Sequence, residues 1–159
     1  MQLSIFKQSI AATILVLGLC VPAWARIGET EEQINVRYGQ SIGDIPTESF
    51  GPVRGFALPG FVVGVKFVNG TSAMEVISKN DQSDIGPQEM EALLKKHGAD
   101  AQWNVDRFDK PGWKRWRSED GAFVAVYDTT RHFLYVNSRE FYEQQGKQGG
   151  KSEQAKAQG

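Results

Sequence analysis

The dipeptide Asn69-Gly70 constrains the fold more than any other feature of the sequence. It separates two runs of strand-forming residues, 61–68 and 71–78, and this dipeptide strongly favours a two-residue β-hairpin turn. Pairing Val68 with Thr71 predicts that one face of the hairpin is buried, because side chains alternate between the two faces of a strand. That face would carry Phe61, Val63, Val65, Phe67, Met74 and Val76, and the partly wet opposite face would carry Lys66, Ala73 and Glu75.

Two helices are predicted on either side of this hairpin. Thr30 and Gln33 form a capping-box pattern, and Gly39 ends the segment, which predicts a helix over 30–38. Pro87 fits a first helical position, and Gly98 follows apolar residues with helical spacing. The second helix is therefore predicted over 87–97, with His97 as a charge that favours the helix C-terminus.

A second hairpin is predicted from the runs 122–127 and 132–136, which flank Thr129-Thr130. The order helix, hairpin, helix, hairpin predicts an α+β fold in which an antiparallel sheet of two hairpins carries two helices on one face. The opening Ile27-Gly28 is echoed by Ile85-Gly86. This echo is explained either by a diverged tandem repeat of a helix-plus-hairpin unit or by the chance order of a small α+β protein.

The first 25 residues have the pattern of a secretory signal peptide. Lys7 precedes a short apolar run over 10–21, and Ala23-Trp24-Ala25 offers small residues for cleavage. A helix of that run would extend about 18 Å, against about 30 Å of membrane hydrocarbon, which disfavours an anchor. Cys20 follows Leu19 rather than a small residue, which disfavours a lipoprotein. We therefore predict an exported protein, periplasmic or secreted, with no integral membrane span after cleavage.

The remaining chain is predicted to be one small α+β domain over 26–145, followed by a disordered polar tail over 146–159. The sequence has 18 basic and 19 acidic residues, a balance that excludes a strongly basic nucleic-acid binder. Its single cysteine lies in the predicted signal peptide, so the mature chain would have no disulfide and no catalytic thiol.

The segment from Ile27 to Gly39 resembles the "GET…RYG" opening of small exported bacterial proteins of unknown function. Together with Asp120-Gly121-Ala122 and the last hairpin, the resemblance covers nearly all of the mature chain. The capped helix followed by a hairpin also looks, more distantly, like modules of the SmpA/OmlA outer-membrane lipoproteins and of β-lactamase-inhibitory-protein-like domains. That second resemblance implies a non-enzymatic binding module with helices on one face of an antiparallel sheet. The chain departs from it in lacking a lipobox and a proline after Gly39, and no site residue is transferred.

Few residues suggest chemistry. His97 and His132 are the only histidines, and neither has a metal-ligand spacing, so we predict no metal and no cofactor. No local signature of a nucleophile, a phosphate loop or paired catalytic carboxylates is present, so no catalytic residue is predicted. The segment Trp113-Lys114-Arg115-Trp116-Arg117 alternates aromatic and basic residues, which suits an anionic surface. The alternative is an ordinary strand that places its two tryptophans on opposite faces.

The sequence therefore predicts an exported, monomeric or weakly self-associating binding module without enzymatic activity. Its partner would be a protein or a component of the cell envelope, and not a nucleic acid. A first alternative is a peripheral membrane or cell-wall polymer binder that uses Trp113–Arg117. A second alternative is a small secreted hydrolase or inhibitor with no recognisable motif. A deep pocket that collects His132, Asp128 and Tyr135 around one point would support it.

Overall fold

The computed structural model describes residues 27–97, 101–107 and 110–147. The predicted signal peptide over 1–25 lies outside these residues. So does the predicted tail, apart from residues 146 and 147, which belong to a helix. Within the described ranges, no helix is long and apolar enough to cross a membrane.

The described chain forms an α+β fold built on one antiparallel sheet of eight strands. In chain order the elements are α1 (Glu31–Tyr38), β1 (Gly43–Ile45), β2 (Val53–Leu58), β3 (Phe61–Val68), β4 (Thr71–Lys79), α2 (Pro87–His97), β5 (Trp103–Asp106), β6 (Trp113–Ser118), β7 (Phe123–Asp128) and β8 (Phe133–Ser138). A third helix, α3, covers 139–147. The predicted α+β class is confirmed. The sheet is larger than the two predicted hairpins. Strands as short as β1 and β5 were missed because they show no clear alternation of polar and apolar residues.

The sheet order is β1-β2-β3-β4-β8-β7-β6-β5. Each half of the chain therefore runs through one helix and then four antiparallel strands. The two halves join in the middle of the sheet, where β4 pairs with β8 and Ile77 lies opposite Leu134. The first and fifth strands form the two edges of the sheet.

Both predicted helix starts and both hairpins are present. The capping box of α1 forms as expected: Gln33 N–H donates to Thr30 Oγ1 at 3.3 Å, and Thr30 N–H donates to Gln33 Oε1 at 2.9 Å. The second helix spans the predicted residues. The second hairpin differs slightly, since β8 begins at Phe133 and His132 lies in the turn with a φ of 59°.

The face assignment in the first hairpin was wrong because a β-bulge interrupts it. Lys66 pairs with Met74 but Phe67 pairs with Ser72, so Ala73 is an extra residue in β4. One extra residue moves every following side chain to the other face. Glu75 therefore lies on the same face as Val65, and Met74 and Val76 lie on the opposite face.

The two faces carry two separate apolar cores. On one face, which we call the helix face, α1 and α2 pack against the sheet. This core includes Ile34, Tyr38, Phe56, Val63, Val65, Ile77, Leu93, Leu94, Leu134 and Val136. The opposite face, which we call the groove face, holds a smaller core of Val53, Ala73, Met74 and Phe141, packed against Phe50 and Tyr135. The face expected to be wet is therefore partly covered, by α3 and by the loop before β2.

Tyr127 connects the sheet to the start of α2. Its hydroxyl donates to the Asp84 carboxylate and accepts from the Ile85 N–H at 3.0 Å. The side chain is buried, with 2% exposure. Burial, together with the hydrogen bond to Asp84, raises the pKa of Tyr127 to about 12. The neutral phenol therefore holds the segment that leads into the helix.

Because the folded-state pKa of Tyr127 is raised, its contribution to stability is complete below the unfolded pKa of about 10 and is lost as the pH rises toward 12. We expect phenolate absorbance to include a tyrosine that titrates near pH 12, well above an unperturbed tyrosine. Tyr127→Phe should remove that transition and destabilise the protein by about 1.5–3 kcal/mol, since it removes a hydrogen bond to a charged group. An unchanged titration curve in the variant would contradict this assignment.

Candidate binding groove

A groove crosses the groove face of the sheet, opposite α1 and α2. It consists of two adjoining cavities of about 530 and 630 Å³. Ser49, Phe50, Arg131 and Tyr135 line both cavities. The first cavity extends over β3 and β4, and the second extends over β6 and β7 toward α3. The loop over 46–50 lies alongside both.

Tyr135 is the centre of an aromatic cluster in this groove. The Trp113 ring is stacked on it at 6.4 Å and 18°, and the Phe133 ring meets it edge-on at 6.3 Å. The Phe50 ring lies 5.8 Å from the Tyr135 ring and 6.4 Å from the Phe141 ring, measured between ring centres. These separations are typical of favourable aromatic pairs. The cluster arises because Trp113 on β6 and Phe133 and Tyr135 on β8 all point to the groove face, from the two strands that flank β7.

Two exposed cations lie at the second cavity. Lys110 places its Nζ 4.0 Å from the centre of the Trp113 ring, a cation–π contact. The Arg131 side chain is 59% exposed, and its nearest carboxylate, that of Glu48, is 3.9 Å away and 90% exposed. An ion pair this long and this exposed contributes little to stability.

The carboxylate of Asp128 also lines the second cavity but is committed to the fold. Asp128 is 4% exposed, and its Oδ1 accepts from the N–H groups of Thr130 at 2.9 Å and Arg131 at 3.1 Å. These bonds shape the turn between β7 and β8. Burial, and next the charge of Asp128, raise the pKa of Tyr135, so its hydroxyl stays protonated across the physiological range.

The segment predicted to bind an anionic surface is divided between the two faces. Strand β6 pairs with β7 from Trp113 through Arg117, so alternate side chains point to opposite sides. Lys114 and Trp116 lie on the helix face, and Trp116 packs against the main core. Trp113, Arg115 and Arg117 lie on the groove face. The two tryptophans do lie on opposite faces, as the strand hypothesis requires, but Lys114 shares a face with Trp116.

The two arginines of this segment are held by a single carboxylate on the edge strand. Arg115 Nε lies 2.8 Å and Arg117 Nε lies 2.6 Å from Asp106 Oδ2. The hydrogen bond from Arg117 is the main cause that lowers the pKa of Asp106, and the Arg115 hydrogen bond adds to it. Of the predicted segment, only Trp113 lines the groove.

The residues named for a hydrolase do not converge. Asp128 and Tyr135 line the second cavity, whereas His132 lies outside it. The Nδ1 atom of His132 is 2.8 Å from the carbonyl oxygen of Gln82. In the described residues, no group of three His, Cys, Asp or Glu side chains is arranged to hold a metal ion.

Sequence reasoning missed a buried polar centre on the helix face. His97 and Glu75 are both fully buried, and His97 Nδ1 lies 2.8 Å from Glu75 Oε2. The Tyr38 hydroxyl donates to the same oxygen at 3.1 Å. His97 does lie in the last turn of α2, as predicted, but it is fully buried beside Glu75, a burial that was not predicted. The available signal was Glu75 itself, a charged residue within the apolar run of β4.

The centre joins the last turns of both helices to the middle of the sheet, since Tyr38 ends α1 and His97 ends α2. Its three side chains line neither cavity of the groove. The contacts within the centre fix the C-terminal turns of α1 and α2 against β4.

The described residues form an α+β fold with an aromatic-lined groove on one face of its sheet. The chain matches no protein-family model, no curated protein and no solved structure. The resemblance to small exported proteins with a "GET…RYG" opening therefore stays a prediction.

Proposed function

We propose that this protein is an exported binding module without enzymatic activity, and that it holds a protein or a cell-envelope component in the groove. The observation that carries the proposal is the aromatic cluster of Trp113, Tyr135, Phe133 and Phe50 in an open recess. Concave, mainly apolar sites with a few polar groups are the usual binding sites of proteins. Aromatic residues are also enriched where proteins meet partners.

The packing of the cluster supports this function energetically. Trp113 is held by Tyr135 on β8 and by Lys110. A side chain that is already ordered loses little conformational entropy when a partner arrives, and this preorganisation increases affinity. The groove therefore offers a large, rigid apolar surface at a low entropic cost.

The second candidate is a peripheral membrane or cell-wall polymer binder. The contact of Lys110 with Trp113 favours it, since a cation beside an aromatic ring suits an anionic polymer. Trp116 would not take part, because it packs against the main core. Sedimentation of Trp113→Ala with liposomes or cell walls, beside the unchanged protein, tests this candidate separately.

The proposal is tested by crosslinking in the native envelope. A tagged protein exported through its own leader is expected to capture one dominant partner. Trp113→Ala should weaken capture about thirtyfold or more, because truncating an aromatic hot spot costs about 2 kcal/mol or more. Val105→Ala is the matched control, since Val105 is 81% exposed on the helix face. Equal capture by both variants, or no captured partner, would contradict a binding groove at Trp113.

We further propose that the two halves derive from a duplicated unit of one helix and four strands. The support is the shared order of elements in both halves and their junction at β4 and β8. If so, a protein that begins at the second half and continues into the first, through a new linker, should fold to the same sheet. A circular permutant that stays unfolded would count against this origin.

A further inference from the structure

The groove face carries basic side chains that the described fold does not neutralise. Lys110 contacts the Trp113 ring, and Lys66 Nζ bonds to the Pro52 carbonyl at 3.2 Å. In the described ranges, neither lysine has a carboxylate within ion-pair distance. Arg131 has only its long, exposed contact with Glu48. These three basic side chains of the groove face therefore have no close, buried carboxylate partner among the described residues.

Two acidic side chains, Glu48 and Asp128, also line the groove. The Asp128 carboxylate is buried and already accepts two backbone N–H groups. Glu48 is 90% exposed, on the loop beside the groove. Lys110 and Arg131 therefore remain available to an incoming carboxylate at the second cavity, whose apolar lining includes Phe50 and Val126.

We propose, on the basis of the function proposed above, that the groove takes an acidic segment of a partner protein. An apolar side chain of that segment enters the second cavity between Trp113, Tyr135 and Phe50. Carboxylates on either side of it meet Lys110 and Arg131. Charge complementarity of this kind selects partners and accelerates association, while the aromatic cavity supplies most of the affinity.

The shape of the site favours a protein segment over a lipid surface. Trp113 is half-buried, its ring is stacked on Tyr135, and residues of the loop over 46–50 and of α3 line the same recess. A flat bilayer contacts side chains that protrude, whereas an extended or looped chain can place single side chains into a recess. Anionic vesicles are therefore a competing probe in the test, with no binding expected.

The test uses calorimetry with the mature protein and short acetylated peptides. One peptide has glutamates on both sides of a leucine, and its matched control has glutamines in their place. We expect the acidic peptide to bind at least about tenfold more tightly at low salt, and the difference to shrink at high salt because ions screen exposed charges. Phosphatidylserine vesicles form the third arm.

Charge reversal locates the contact. Arg131→Glu should weaken the acidic peptide about five- to tenfold and leave the glutamine peptide nearly unchanged. Lys110→Glu should weaken both peptides, because it also removes the Trp113 contact, but it should weaken the acidic peptide at least about fivefold more than the glutamine peptide. Lys95→Glu is the matched control, because it makes the same charge change on α2, across the sheet. A circular dichroism melt of each variant shows that it is folded.

Three results would overturn the inference: equal binding of the two peptides, no binding of the acidic peptide at millimolar concentration, or binding to vesicles alone. If one of these results occurs while Trp113→Ala still loses its envelope partner, the proposal of an acidic segment is wrong and the proposal of a binding groove is retained. If Trp113→Ala also captures its partner normally, both proposals fail together.

Discussion

Replacing His97 with alanine is expected to destabilise the protein by about 3–5 kcal/mol, because the change leaves the Glu75 carboxylate buried beside an empty site. Both side chains are fully buried, and only 2.8 Å separates His97 Nδ1 from Glu75 Oε2. A carboxylate removed from water is costly when its partner is absent. Urea unfolding, followed by circular dichroism, measures the loss in free energy of unfolding.

The matched double variant Glu75→Leu with His97→Leu distinguishes a buried pair from simple loss of packing. Replacing both partners with apolar residues of similar size is often neutral or stabilising, so the double variant should be much more stable than His97→Ala. It still leaves the Tyr38 hydroxyl without its Glu75 acceptor, which costs about 1–3 kcal/mol. Tyr38→Phe added to the double variant should recover part of this cost. If His97→Ala loses less than about 1 kcal/mol, the pair does not hold the two helices.

The second large effect concerns stability, which the two tryptophans of β6 are expected to support to different extents. Trp116→Ala is expected to cost about 2–4 kcal/mol of stability, because Trp116 packs against the main core and its removal leaves a cavity there. Trp113→Ala should cost about 1–2 kcal/mol, mainly through the lost stacking with Tyr135 and the lost Lys110 contact. Thermal unfolding of the two variants compares them directly.

Binding to the partner should depend more on Trp113 than on Trp116, the opposite of their order for stability. Trp113→Ala is expected to lose the envelope partner while staying folded, and Trp116→Phe should keep it. The phenylalanine variant is used here because Trp116→Ala could lose binding through unfolding alone. If Trp116→Phe loses the partner and Trp113→Ala keeps it, the binding surface lies on the helix face.

The helices were predictable because their signals are local. A capping box needs only Thr30 and Gln33, and α2 needs only a proline start and apolar residues at helical spacing. The first hairpin was predictable for the same reason, since Asn69-Gly70 determines its own turn. Its faces were not predictable, because the bulge at Ala73 depends on how two strands fit against each other.

The candidate site was only partly predictable. Trp113 was named from its place in a basic aromatic segment, and it does line the groove. Tyr135 was named only for a hydrolase, and no role was predicted for Phe50. The three meet because the sheet brings β6 beside β7 and β8, and because the loop over 46–50 lies along the groove. Nothing in the spacing of these residues indicates that they share a site.

The sequence by itself determined the local elements of this protein: capped helices, tight turns and alternating strands. Those features depend on hydrogen bonds and side-chain spacing within a few residues. Only the tertiary structure decided which face each strand buries, which tryptophan is available to a partner, and that Tyr38, Glu75 and His97 meet. The physical reason is that these features depend on pairing between residues distant in sequence, where one extra residue in β4 reverses every side chain beyond it.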